Sequence, residues 1–310
     1  LAADLKNNFS FGSQLTYLGT AGLEKTVVDA TRQDTTQSLN DDTTSDIALT
    51  KIFVAKKIDN TTVKLGRQEL PKSLSPLAFS EGWNVFKNTF DAIVAVNTDI
   101  PNTTLVGAYV SSVTNVSDRS DMTAKYNLAN AVGNAATADA DTFDTSRLDV
   151  EGNAYMLTAQ TTVIPMTTLT ASYYTIKNIG VTVLDDNNAD GDYTDAGDSI
   201  TTNDNSLSAD AYWIDAKITD KSFPMGLNIG LQFGNIDPKV ENAGIGALLT
   251  ANGLSLDDTT AYGLKVSAKP MDGLTLCAAY TDVDGNDAGK VNVGIQNVGG
   301  VKTPLYTQMV

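Results

Sequence analysis

Strand-like runs in this chain are joined, in strict alternation, by very short connections and by very long ones. Runs of alternating polarity rich in β-branched residues predict strands over 7–19, 46–58, 61–70, 90–97, 104–113, 152–163, 167–179, 209–219, 225–235, 260–269 and 274–282, with a further strand at 304–310. The connections at Asp59-Asn60, 98–103, Ile164-Pro165-Met166, 220–224 and 270–273 are tight, whereas those at 20–45, 71–88, 114–149, 180–208 and 236–259 are long. Loops beyond about 12–15 residues without structure of their own are uncommon in compact domains, so their recurrence at every second connection needs a cause. An antiparallel sheet in which each strand pairs with the next puts every second connection at the same edge. A transmembrane β-barrel has this asymmetry: short turns at one rim, long loops at the other, and strands of about 10 residues with one apolar and one polar face. A soluble β-sandwich gives long loops no reason to gather at one end. The fold class expected is therefore all-β, an antiparallel transmembrane barrel with about twelve readable strands.

The length of 310 residues suits one such barrel spanning 1–310. No apolar run reaches the length of a membrane-spanning helix, a test that is blind to β-strands. The most regular two-faced run sets Met225, Leu227, Ile229, Leu231 and Phe233 against Gly226, Asn228, Gly230, Gln232 and Gly234. A helical reading of 122–140 would lie inside a long loop. The first residues, LAADLKNN, have neither a basic nor an apolar leader-like region, so the expectation is a removed leader or a start inside a longer chain.

Charge and composition remove whole classes of function. With 21 Lys and Arg against 37 Asp and Glu the net charge is −16, which disfavours nucleic acid and enriches cations nearby. The absence of His removes histidine metal sites and Ser-His-Asp or Cys-His chemistry, and leaves an enzyme reading without its base. Cys277 is alone, so no internal disulfide forms, and its apolar run LTLCAAY predicts a small packed side chain.

Between Lys64 and Val113 the chain reads KLGRQELPKSLSPLAFSEGWNVFKNTFDAIVAVNTDIPNTTLVGAYVSSV. This stretch resembles the major outer membrane porins of Campylobacter-type bacteria in the phrase LGRQ, the Pro/Ser-rich loop after it, the Trp-to-Phe step and the hairpin NTDIPNTTLVGAYV; GNAYMLTAQTTVIPMTTLTASYY and VKTPLYTQM are similar to it more loosely. The resemblance implies a homotrimer of barrels of about 16 to 18 strands, bedded in outer-membrane lipid and lipopolysaccharide, through which small hydrophilic solutes pass. Against that number the readable strands fall short and the closing TQMV lacks a terminal aromatic, so strands are expected to be missing at one or both ends. The resemblance also implies that the loop after GRQ folds into the barrel, making 71–88 a candidate constriction. Its charged members are Lys72, Glu81 and Lys87, with Arg67 and Glu69 at its root.

Strand parity adds wall candidates of its own. Asp91, Asp215, Lys217, Gln232 and Lys265 lie opposite the runs taken as apolar faces, and a Lys or Arg facing lipid at mid-depth would cost about 2–4 kcal/mol. Separately, Asp186, Asn188, Asp190, Gly191, Asp192 and Thr194 follow the D-x-N-x-D-G spacing of a Ca²⁺ loop, with Gly197 where the bidentate Glu belongs and Asp195 or Asp198 as substitutes. Asp282, Asp284 and Asp287 around Gly285 echo it more weakly. The function expected is a passive, modestly cation-selective diffusion channel; the alternative is a secreted surface-layer or adhesive β-protein whose acidic loops bind Ca²⁺ and which dissolves in water.

Overall fold

The computed structural model describes residues 2–18, 46–80, 87–114, 153–185, 199–251 and 257–284. Twelve strands form one sheet: β1 (Ala2–Lys6), β2 (Phe9–Leu18), β3 (Asp46–Ile58), β4 (Thr61–Gln68), β5 (Thr89–Asn97), β6 (Thr103–Thr114), β7 (Asn153–Thr161), β8 (Thr167–Asp185), β9 (Ser199–Thr219), β10 (Asn228–Val240), β11 (Thr259–Met271) and β12 (Leu274–Asp284). Sheet order is chain order, and every pairing is antiparallel. The short connections therefore share one edge of the sheet and the long ones the other.

Several boundaries differ from expectation for identifiable reasons. The first predicted strand is the second of a hairpin, because Lys6, Asn7 and Asn8 take positive φ of 69°, 52° and 63°. Asn tolerates that region, and two adjacent such residues make a tight hairpin turn whose signal is present in the sequence. The loop expected over 180–208 shrinks to 186–198: β-branched Val181, Thr182 and Val183 continue β8 and pair with Asn203, Thr202 and Thr201 of β9. Met225 opens no strand. Pro224–Gly226 form a single 3₁₀ turn with Met225 at φ 56°, and β10 starts at Asn228 and runs on through Pro238 to Val240. The connection from β10 to β11, read as loop, holds α1 (Ala243–Ala251). Asn242 caps it, its Oδ1 accepting from Gly244 N at 2.9 Å and Ile245 N at 3.4 Å. Cys277, expected to be packed, is exposed on β12, which among the described residues pairs with β11 alone. The 304–310 strand and the 122–140 helix lie outside the described residues.

Two glycines let the sheet take its shape. Gly66 in the LGRQ phrase sits at φ +119°, and a Cβ there would stand 2.4 Å from the Ile52 carbonyl oxygen. Gln68 folds back over that gap, 2% exposed, its Nε2 donating to Gly66 O at 3.2 Å and Ala92 O at 3.1 Å. Gly234 lies beneath Trp213, whose ring carbon would be 2.4 Å from an added Cβ. Trp213 is 1% exposed because the missing side chain opposite gives its ring a seat.

Gly66→Ala should cost about 1–3 kcal/mol, the strain of an L-residue held in that conformation. Gly107→Ala, where nothing lies within 4 Å of an added Cβ, should change stability little. Denaturant unfolding of both variants in detergent, followed by tryptophan fluorescence, compares them directly.

Candidate functional site: the loop-covered face of the sheet

The register sorts side chains into two continuous faces. On one, beside Phe90, Ala92, Val94 and Val96 of β5 stand opposite Val110, Ala108 and Val106 of β6 in turn, and the row continues through Met156, Tyr174, Ala211, Trp213, Ile236 and Ala261. Leu70 is buried with them, and Leu74, Leu77 and Ala78, from the connection after β4, pack against the same cluster. Polar contacts hold the loop there. Leu77 N donates to Tyr174 Oη at 3.3 Å, Ser75 Oγ lies 3.5 Å from the same hydroxyl and donates to Ala78 O at 2.6 Å, and Gln160 Nε2 donates to Ser73 O at 3.1 Å.

Beyond the loop the same face turns polar. Thr158 Oγ1 donates to Ser172 Oγ at 2.8 Å, Gln160 Nε2 to Thr170 Oγ1 at 3.0 Å, and Gln232 Nε2 to Asp215 Oδ2 at 3.0 Å, with Lys217 Nζ 3.6 Å from Asp215 Oδ1. Lys265 shares this face across β11, paired with Gly230. On β3 and β4 the face carries Lys51 and Lys64, the latter's ammonium 4.5 Å from the centre of the Phe53 ring.

Glu69, at the root of the loop, joins strand to loop by charge. Lys51 Nζ lies 2.8 Å from its Oε1, and Lys87, where the chain returns toward β5, lies 3.5 Å from its Oε2. Burial pushes the carboxyl up, but hydrogen bonds and charge from Lys51 and Lys87 outweigh it and hold the group below its usual 4.5. Lys72 sits over the Phe79 ring at 5.0 Å.

The opposite face is apolar and open. Ile52, Val54, Leu65, Ile93, Leu157, Ile214, Leu231, Leu264 and Leu276 are all exposed there. An aromatic belt crosses it six or so residues above the short turns: Tyr109 and Tyr155 at 5.3 Å between ring centres, Tyr173 paired with Tyr212, then Tyr212 to Phe233 at 5.8 Å and Phe233 to Tyr262 at 5.2 Å. Just beyond the belt come ion pairs. Lys239 Nζ lies 2.6 Å from Asp210 Oδ2, which also receives Tyr173 Oη on Oδ1 at 2.9 Å.

Arg67 and Asp91 belong to this second face, which corrects the parity argument. They pair directly, through Nε to Oδ1 at 2.9 Å and Nη2 to Oδ2 at 3.0 Å, two residues beyond the exposed pair Leu65 and Ile93. Both faces of β5 are apolar, and the Phe90, Ala92, Val94 run taken as the outward one is the side the loop covers. Of the remaining candidates, Glu69 and Lys87 meet at the loop root, while Asp215, Lys217 and Lys265 lie on the loop-covered face. Lys72 rides on the loop, and Glu81 and the Ca²⁺ candidates Asp186, Asn188, Asp190, Asp192 and Thr194 lie outside the described residues. Sequence reasoning missed Lys51, Lys64 and Tyr174. The alternation of Lys51, Phe53 and Ala55 with Ile52 and Val54 was available, but it is apolar on both sides.

No protein-family model matches the sequence, and no curated protein matches it. Among solved structures the chain is similar to OccK9 (OpdG) of Pseudomonas aeruginosa, with TM-score 0.57, 16% identity, and coverage of 98% of this chain and 62% of that one. It is similar also to OpdO of the same organism, with TM-score 0.51, 12% identity, and 98% and 59% coverage. Both are bacterial outer-membrane porins. The fold, a twelve-stranded antiparallel sheet, resembles that of porin β-barrels. This chain spans about three fifths of the length of the porins it matches, and at these identities the likeness is one of fold.

Two outcomes test the geometry. Tyr174→Phe removes the acceptor of Leu77 N and should cost about 1 kcal/mol, raising amide hydrogen exchange at Leu77 while β5 to β8 stay protected. For Glu69 the folded-state pKa is depressed, so its anchoring contributes stability above the ordinary carboxylate range and loses it as pH falls through the folded value. Thermal midpoints of the parent and Glu69→Gln should therefore differ at neutral pH and converge as the pH falls below the ordinary carboxylate range.

Proposed function

We propose that the protein is an outer-membrane porin, a passive and non-catalytic diffusion channel for small hydrophilic solutes and ions. One observation carries this reading: a single sheet presents an exposed apolar face crossed by an aromatic belt, and an opposite face that is polar, charged and covered by an inward-folded loop. Lipid accepts the first face and a water-filled lumen the second. The surface-layer alternative would leave the apolar face in water.

On this reading the loop over 71–88 narrows the lumen, and the Campylobacter-type porins are the relatives suggested by the Lys64–Val113 stretch. A homotrimer in contact with lipid and lipopolysaccharide follows from that relationship. Selectivity has two sources. Of the 37 acidic residues, 17 fall within the long connections 19–45, 115–152 and 186–198, against 5 of the 21 basic ones. That charge enriches cations at the mouth, while lysines on the wall moderate the preference, so cation selectivity is modest. Exposed charges are screened beyond about 8 Å at physiological salt, so the preference shrinks as salt rises. Ca²⁺ binds weakly at Asp186, Asn188, Asp190, Asp192 and Thr194, because the twelfth ligand is not Glu.

Purified protein added to a planar bilayer should produce stepwise conductance, with a reversal potential of cationic sign in a shallow KCl gradient that falls toward zero at high salt. Absence of conductance steps, together with stable solubility free of detergent, would overturn the channel. Calorimetry comparing the parent with Asp186→Ala/Asp190→Ala should show the Ca²⁺ heat lost in the variant; equal heats would remove the site.

A further inference from the structure

We propose that the turn between β7 and β8, through Val163, Ile164 and Met166, embeds in the edge of the lipid hydrocarbon at the short-turn rim, with Ile100 and Met225 of the adjoining turns beside it. The proposal deepens the porin reading and rests on it for the presence of a bilayer; that the turn enters lipid, and does not stand in water beyond it, rests on the rim itself.

The connection between β7 and β8 reads Thr-Val-Ile-Pro-Met over 162–166, with no ionisable side chain. Val163, Ile164, Met166, Ile100 and Met225 are all close to half exposed or more, from 47% at Met166 to 62% at Val163. Backbone hydrogen bonds tie the three turns together: Thr162 N donates to Asn102 O at 2.9 Å, and Thr219 N donates to Met166 O at 2.8 Å. Five large apolar side chains on adjoining turns make a patch that needs a cover, not single exposed residues of the ordinary kind.

The patch continues the open apolar face without a break. From β4 to β12, the outward side chains between the aromatic belt and the short turns include no charged group among the described residues. Polar residues end several of these strands, and their groups are taken up within the protein. Thr103 and Thr161 share a hydrogen bond of 2.9 Å, Thr167 Oγ1 donates to Pro165 O at 3.2 Å, and Asn97 Nδ2 donates to Thr61 Oγ1 at 2.8 Å. A rim in water can leave such groups to solvent, whereas a rim in lipid must pair them.

Height argues for the same cover. Six residues separate Tyr173 of the belt from Thr167 at the foot of β8, about 20 Å of strand and about 15 Å along the membrane normal at the usual barrel tilt of about 40°. The apolar band of such barrels is about 25 Å tall. With the belt at one boundary of the hydrocarbon, the strand ends therefore fall short of the other by several Å, and the turn residues lie where it ends. Asp99, Asp220 and Lys221 on the adjoining turns limit how far the patch sinks, so the uncharged β7–β8 turn is the part that goes deepest.

Cys277 is the one cysteine of the chain, so Cys277→Ser gives a background for single nitroxide labels. Labels are placed by Ile164→Cys and Met166→Cys on the turn, by Leu157→Cys on the apolar face, and by Asp258→Cys, exposed just before β11 on the long-connection side. The full chain is reconstituted in vesicles of phosphatidylethanolamine and phosphatidylglycerol, and collision of each label with oxygen and with a water-soluble nickel chelate, present on both sides, is read by power saturation. The oxygen-to-nickel ratio at positions 164 and 166 should match that at 157 and exceed that at 258 several-fold. A ratio at 164 and 166 equal to that at 258, with 157 still in lipid, puts the turn in water and overturns the proposal while the porin reading stands. Exclusion of both reagents at 164 and 166, with dipolar broadening between labels, makes a second copy the occupant and overturns it as well. If 157 itself reads as 258 does, the sheet faces water and the porin reading falls with the proposal.

Discussion

In a hydrocarbon layer no water is available to satisfy a peptide group, so every N–H and C=O must find its partner in the protein. Among the described residues that requirement is met, for β2 to β11, in the simplest way a chain allows: each of these strands pairs with the one before it and the one after it. Everything else depends on this local pairing. Hairpins can close over two residues at one edge, as at Asn7-Asn8 and Asp59-Asn60, while the opposite edge is left to long connections that carry no share of the ladder. Sequence variation can then collect in those connections without disturbing the backbone hydrogen bonds.

The loop after β4 decides which side of the sheet is which. Without it, β5 and β6 would offer two apolar faces and no physical ground for preferring either. Leu70, Leu74 and Leu77 cover one of them, and Tyr174, reaching from β8, fastens the cover by receiving the Leu77 N–H. The electrostatic seam at Glu69 joins the two ends of this loop, since Lys51 stands on the strand side and Lys87 on the return side. Gly66 has a related part: its unusual φ lets Gln68 fold back against the sheet immediately before the chain turns inward.

The strands and the order of short and long connections were legible in the sequence, because alternation and turn residues are local signals. What failed was what depends on distant partners. Val181 to Val183 looked too polar in their surroundings to be a strand until β9 arrived to pair with them. The helix at 243–251 has an Asn cap in the sequence, but its Gly- and Ala-rich body carries no amphipathic stripe to announce it. For the candidate site, Asp215, Lys217 and Lys265 could be assigned a face because their strands alternate cleanly, whereas Asp91 could not, since Phe90 and Ile93 are equally apolar neighbours on opposite sides. The Lys51, Glu69 and Lys87 grouping spans β3 and the two ends of the loop, and no spacing along the chain encodes it.

The ion pair of Arg67 with Asp91 has a mechanical meaning for a sheet standing in a bilayer. It occupies β4 and β5, strands without an outward aromatic, two residues beyond the level of Ile93, which pairs with Tyr109 of the belt. Lys239 with Asp210 marks a similar height beyond Tyr173 and Tyr212. Polar groups so placed cannot sink toward the oily midplane, and the exposed Leu65, Ile93 and Ile214 beneath them cannot rise into water. The two sets oppose each other like a float and its keel, so the protein would ride at one depth and resist vertical drift in a membrane whose thickness fluctuates around it.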